Sequence, residues 1–190
     1  MKKNFTTALL LLAICISSLA GGASGPFNIL DLPENYKSYR KTFRQAISTE
    51  NETLVAEMEG EGCLRHFWMT IARVRTNPEN ALALTMRIYF DGEDDPRVEV
   101  PVGPFFGIHH GKPARKINSP FLQVTDRSGF NSYLPMPYKE GMKITFQSEA
   151  NKEIMIWFQA DYHKYERGSL KEPFRFNAQY RRVNPAESYG

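Results

Sequence analysis

From Thr53 onward the chain alternates apolar and polar positions with a period of two, and Gly, Pro, Asn or Asp closes each run. Leu54, Ala56 and Met58 open the pattern, until Gly60 and Gly62 interrupt it. Runs at 63–71, 81–90, 97–102, 121–125, 142–148 and 153–163 follow, many rich in β-branched and aromatic residues, and they read as strands. Within the last of these, the unbroken apolar stretch from Ile154 to Phe158 predicts a strand covered on both faces. Strands without regularly interleaved helices argue against a parallel α/β sheet and predict an all-β protein, a jelly-roll β-sandwich. Ahead of them, Tyr36, Tyr39, Phe43 and Ile47 stand at helical intervals among Lys37, Arg40, Lys41 and Arg44. That spacing predicts a short amphipathic helix, a helical or irregular cover over one sheet edge.

At the N-terminus Lys2 and Lys3 precede an apolar run from Ala8 to Ile16, and the small residues Ser17, Ser18, Ala20, Gly21, Gly22 and Ala23 follow. This order predicts a secretory signal peptide over residues 1–23 and a secreted or periplasmic protein. The apolar run is shorter than the roughly 20 residues that span a bilayer, so no membrane span is expected. Cys15 sits in a stretch resembling a lipoprotein box, but Ile14 is too large for the small residue that lipidation requires beside it. The predicted organisation is then a signal peptide at 1–23, a cover segment at 24–52, the sandwich at 53–166 and a tail or linker at 167–190.

Charge and cysteine content narrow the function. Loss of residues 1–23 removes two lysines and no acid, which lowers the formal charge from +3 to +1. A near-neutral domain without a clustered basic face argues against nucleic-acid binding. The same cleavage leaves Cys63 alone, so an intramolecular disulfide cannot form and stability must come from the core. With 42% hydrophobic and 13% aromatic residues the core can be large.

The candidate chemistry is sparse. Asp91-Gly92 suits a tight hairpin turn. The neighbouring Glu93, Asp94 and Asp95 lack the spaced oxygens that calcium needs, and a solvated turn explains them. His109 and His110 are adjacent, so an extended backbone points them apart, and neither a metal set nor a cofactor is expected. His66 and His163 read as structural. No G-x-S-x-G occurs, Ser128 is explained by a turn, and Cys63 reads as packed. Glycoside hydrolysis needs two carboxylates across a sugar, yet among Glu57, Glu59, Glu61, Glu99, Asp126 and Asp161 no pair stands out. Trp68, Trp157, Phe105, Phe106, Tyr133 and Tyr138 offer flat rings for sugar stacking. Most of these are expected in the core, which leaves the loop members as the better candidates.

Four segments, GEGCLRHFWM at 60–69, RIYFDGEDDPRVEVPVGPFFG at 87–107, NSYLPMPY at 131–138 and FRFNAQYRRVNP at 174–185, resemble the N-terminal part of glycoside hydrolase family 172. The resemblance runs through most of the chain after the signal peptide. It implies a jelly-roll sandwich that is the first of two, and oligomers built on a trimeric unit. It also implies retaining hydrolysis of α-furanosides, including α-D-fructofuranosyl and α-D-arabinofuranosyl compounds, by two glutamates in the later half. Two departures qualify it. A family loop of the form S-x-D-x-T-G-G-N-x-D is replaced at 37–50 by KSYRKTFRQAISTE, and nothing after Asn184-Pro185 resembles the second sandwich. No catalytic glutamate is transferred to this chain. The expectation is the scaffold half of a secreted α-furanosidase, truncated and inactive alone, with a homo-oligomer or a partner β-domain. The alternative is a stand-alone carbohydrate-binding or oligomer-assembly module. Phe105, Phe106, His109, Asn131 and Tyr133 are the candidate substrate-binding residues.

Overall fold

The computed structural model describes residues 30–108, 116–125 and 128–183. Its strands in chain order are β1 (Lys37–Ile47), β2 (Thr53–Glu59), β3 (Gly62–Ile71), β4 (Leu84–Phe90), β5 (Val98–Pro101), β6 (Ile117–Asn118), β7 (Leu122–Val124), β8 (Phe130–Ser132), β9 (Met136–Tyr138), β10 (Gly141–Ser148), β11 (Ile154–Lys164) and β12 (Ala178–Gln179). A 3₁₀ turn at Pro78–Ala81 and one helical turn, α1 (Val102–Phe105), complete the elements. The expected all-β sandwich is present. Seven strands form one sheet in the order β1-β11-β3-β8-β7-β6, with β9 also on β3, and five form the other in the order β12-β5-β4-β10-β2.

Alternation decides which side chains fill the space between the sheets. Along β11, Ile154, Ile156, Phe158, Ala160 and Tyr162 are buried, while Met155, Trp157, Gln159, Asp161 and His163 are half-buried. The Ile154–Phe158 run is therefore covered on one face only, a correction to the reading from its apolarity. Phe158 meets Phe67 of β3 at 5.7 Å and Phe146 of β10 at 5.8 Å, which ties the two sheets through aromatic contacts. In β2 a bulge opposite Ile144 and Thr145 turns Val55 inward and leaves Leu54 48% exposed, so the simple Leu54, Ala56, Met58 alternation breaks at its first member.

The segment expected to be helical is the strand β1. It pairs with β11 over eleven consecutive positions from Lys37↔Lys164 to Ile47↔Ile154. Tyr39, Phe43 and Ile47 are four apart, a spacing that also places residues on one face of a strand, so the sequence fits both periods. Tyr39, Thr42 and Phe43 are good strand formers, and the long ladder on β11 decides in favour of the strand. Its lysines and arginines lie on a sheet edge, where charge discourages unwanted pairing.

The C-terminal segment is likewise part of the fold up to its last described residues. Arg175 donates to Asp91 Oδ2 at 2.7 Å, and β12 pairs in parallel with β5. Buried Glu61 accepts backbone N–H groups of Gly168 and Leu170. Asp91 and Gly92 both have positive φ, and Glu93 N–H closes the turn onto Phe90, as the sequence suggested. Asp91 does more than turn the chain, because its Oδ1 also accepts the N–H groups of Lys139 and Glu140. Cys63 is buried against Tyr165 and Leu170, and burial pushes its thiol up to about 11. The predicted signal peptide, Cys15, His109, His110 and Asp126 lie outside the described residues.

Candidate functional site

The outward residues of the seven-stranded sheet form rows across its strands. Register places Arg40, Asp161 and His66 opposite one another on β1, β11 and β3. Two residues along, Thr42, Gln159, Trp68 and Asn131 line up on β1, β11, β3 and β8. A third row holds Arg44, Trp157 and Thr70. Because side chains alternate faces with period two, all three rows share the face turned away from the core.

The first row is a continuous chain of polar contacts. Arg40 grips Asp161 with two hydrogen bonds, at 2.6 and 2.9 Å. Asp161 Oδ2 lies 3.0 Å from His66 Nδ1, and His66 Nε2 lies 3.2 Å from Asn131 Oδ1. The Arg40 guanidinium holds the Asp161 carboxyl below its ordinary value against the penalty of partial burial, and His66 adds to the effect. Both imidazole nitrogens thus face oxygens. An imidazolium donates to both, while a neutral ring is satisfied only when the Asn131 amide turns to donate to Nε2.

Aromatic rings frame the polar rows. Tyr133, 45% exposed, stacks over His66 with ring centroids 4.7 Å apart. Arg44 sits 5.7 Å from the centre of the Trp157 ring. A Cβ on Gly129 would come within 3.2 Å of Trp68 Nε1, so glycine there leaves room for the indole. An open depression of about 340 Å³ runs between Trp68 and Trp157 beside Thr42 and Gln159. A second, of about 390 Å³, lies on β1 and β11 beside Tyr39, Arg40, Asp161 and His163.

Of the residues singled out from sequence, Asn131 and Tyr133 meet here, both in contact with His66. Phe105 and Phe106 do not. Phe106 is 1% exposed and packs on Phe67 and Phe130, and Phe105 is half-buried against the same cluster, with Phe67, Phe106 and Phe176 around its ring. Their rings serve the core because the helical turn α1 folds this stretch back onto the sandwich. Tyr138 is also fully buried. Trp68 and Trp157, expected in the core, are the half-buried outward rings. Arg40, Gln159 and Asp161 were not among the expected binding residues, although the inward set of β11 fixes its outward set by elimination. His66 is hydrogen-bonded as a structural histidine would be, but on the outer face.

The outer face of the five-stranded sheet is different. Arg87 donates to Glu99 at 2.7 Å and to Gln147 at 3.1 Å, and lies 3.4 Å from Glu52. Glu52 also accepts from Thr145 and Tyr89. Lys143 stands 4.1 Å from the centre of the Tyr89 ring. Burial opposes ionisation of Glu52, yet the Thr145 and Tyr89 hydroxyls and the Arg87 charge hold it below its ordinary value. Burial and the Glu52 carboxylate push the Tyr89 hydroxyl up to about 12, which keeps it a donor.

The remaining carboxylates named from sequence do not converge. Glu57 and Glu59 are exposed, and Glu61 is buried on backbone donors. Among the described residues, no three histidine, cysteine or acidic side chains gather around one point. A model of the GH172 first beta-sandwich domain matches residues 30–181. No curated protein matches the chain.

Proposed function

The chain belongs to the GH172 family through its first β-sandwich domain, and on that premise we propose that it is the scaffold half of a secreted glycoside hydrolase acting on α-furanosides and performs no hydrolysis by itself. The observation that carries this reading is the match of residues 30–181 to the GH172 first beta-sandwich domain. Hydrolysis of a glycoside needs one carboxyl kept protonated beside a second that is ionised. Glu52, Asp91, Glu93 and Asp161 are each lowered instead and engaged by partners within the sandwich. Asp91 is held by backbone donors and Arg175 against burial, and Glu93 is held by Arg97. A second β-domain, in the same polypeptide or in a partner, supplies the acid and the nucleophile.

Secretion rests on the order of lysines, apolar run and small residues at the N-terminus. No helix among the described residues is long and apolar enough to cross a membrane. The test is an assay of purified protein, with residues 1–23 removed, on an aryl α-arabinofuranoside. The expected result is no turnover above the uncatalysed rate. Turnover that survives further purification would overturn the proposal. The second reading, a stand-alone carbohydrate-binding module, draws its support from the aromatic and amide groups on the outer face of the seven-stranded sheet.

A further inference from the structure

We infer that the row Thr42, Gln159, Trp68 and Asn131 is a binding site for a neutral glycan chain that lies across the strands of the seven-stranded sheet. The ligand class rests on the carbohydrate reading above, while the site itself rests on the geometry of this row. Four adjacent strands contribute one residue each, in register, with Gln159 opposite both Thr42 and Trp68 and Trp68 opposite Asn131. At about 4.8 Å between strands the row spans roughly 14 Å.

Most of its polar groups are left unengaged by the described residues. Among the described residues, the Thr42 hydroxyl, the Gln159 amide and the indole N–H of Trp68 make no hydrogen bond, and Asn131 uses only Oδ1. These groups are uncharged and supply both donors and acceptors. Such a set matches vicinal hydroxyls, each of which donates and accepts, better than it matches a phosphate or carboxylate. The charged groups beside the row have partners already, Arg40 on Asp161 and Arg44 over Trp157. The Trp68 and Trp157 rings border the same depression, and Trp68 offers apolar surface to the C–H side of a sugar ring while Trp157 is flanked by Arg44. His66 fixes the Asn131 amide, and Asp161 fixes His66, so the last group of the row is preorganised. Asp161 and His66 are accordingly positioning residues.

The test is calorimetric titration of the purified protein, with residues 1–23 removed, using an α-1,5-linked arabinofuranose oligosaccharide. Tryptophan fluorescence and light scattering are recorded in parallel. Saturable binding is expected, with quenching. Gln159→Ala should weaken it about tenfold, as loss of a hydrogen-bonding side chain in a ligand site does, and Thr42→Val should weaken it less. Asp161→Asn should weaken binding while Tyr89→Phe on the opposite sheet leaves it unchanged. Each variant is checked to be folded at the titration temperature by a cooperative thermal transition above it, and Gln159→Glu, of the same size, replaces Gln159→Ala if that variant melts below it. Absence of saturable binding by the folded protein overturns the inference. So does binding indifferent to both Gln159 and Thr42. A change of assembly state in Gln159→Ala without loss of sugar affinity also overturns it, since the row would then face a protein. Hydrolysis of the oligosaccharide during the titration would instead count against the proposed function and leave the site standing.

Discussion

On the outer face of the five-stranded sheet, Arg87 answers Glu52 and Glu99, Gln147 takes another of its N–H groups, and Tyr89 and Thr145 close on Glu52. On the outer face of the seven-stranded sheet, the chain of contacts from Arg40 through Asp161 and His66 to Asn131 is closed in this way, while the Thr42 hydroxyl, the Gln159 amide and the Trp68 indole N–H beside it bond to nothing described. Both faces arise from the same alternation that buries the core. Their difference teaches that outward polarity alone does not mark a site. What separates the two faces is whether each donor and acceptor has already found a partner within the protein.

The comparison is tested most severely at Phe106. As a core ring, Phe106→Ala should cost about 3 to 5 kcal/mol in urea unfolding. If it were a sugar-stacking residue, stability would barely move and affinity would fall, and Phe105 and Phe106 would have to rejoin the candidate site. Arg87→Met comes next. It strips the hub of the five-stranded face and leaves Glu52 and Glu99 without their guanidinium, at an expected cost of about 1 to 2 kcal/mol and no change in sugar affinity. Loss of affinity in that variant would move the site to the other sheet.

Acid titration compares the two faces directly. Glu52 and Asp161 both have folded values below their ordinary 4.5 and 3.8. Their contribution to stability is therefore full above those ordinary values and is lost as pH falls through the lowered folded ones. Urea midpoints measured downward from about pH 6 should decline, and Glu52→Gln and Asp161→Asn should each flatten the decline. A midpoint independent of pH over that range would mean that neither carboxylate is held as described. The smallest effect belongs to Tyr133→Ala. Nearly half-exposed and stacked on His66, Tyr133 should contribute less than about 1 kcal/mol, while its removal shifts the His66 ring resonances in an NMR spectrum. Unmoved resonances would show that the stack is not populated in solution.

Much of the sandwich can be read along the chain. Strands near 62–71, 84–90, 141–148 and 154–164 fall where the alternation puts them, and Asp91-Gly92 turns where its residues allow positive φ. Strands of two or three residues, such as Phe130–Ser132, Met136–Tyr138 and Ala178–Gln179, are too short to display a period and were not expected. Of the candidate site, Asn131 and Tyr133 were legible because they sit in a motif of mixed polar and aromatic residues. Trp157, Gln159 and Asp161 are outward by the parity of β11, but an apolar run around a tryptophan masks that parity.

The sequence by itself determined the all-β class and the family, because a period of two and a local motif are carried by neighbouring residues. Only the tertiary structure decided that Lys37–Ile47 is a strand, that Phe106 is core, and that Arg40, Asp161, His66 and Asn131 form one chain of contacts. Arg40 and Asp161 are 121 positions apart, and His66 and Asp161 are 95 apart. Their meeting depends on which strands pair and in what register, and that choice is settled by burial of the whole core rather than by any local stretch of chain.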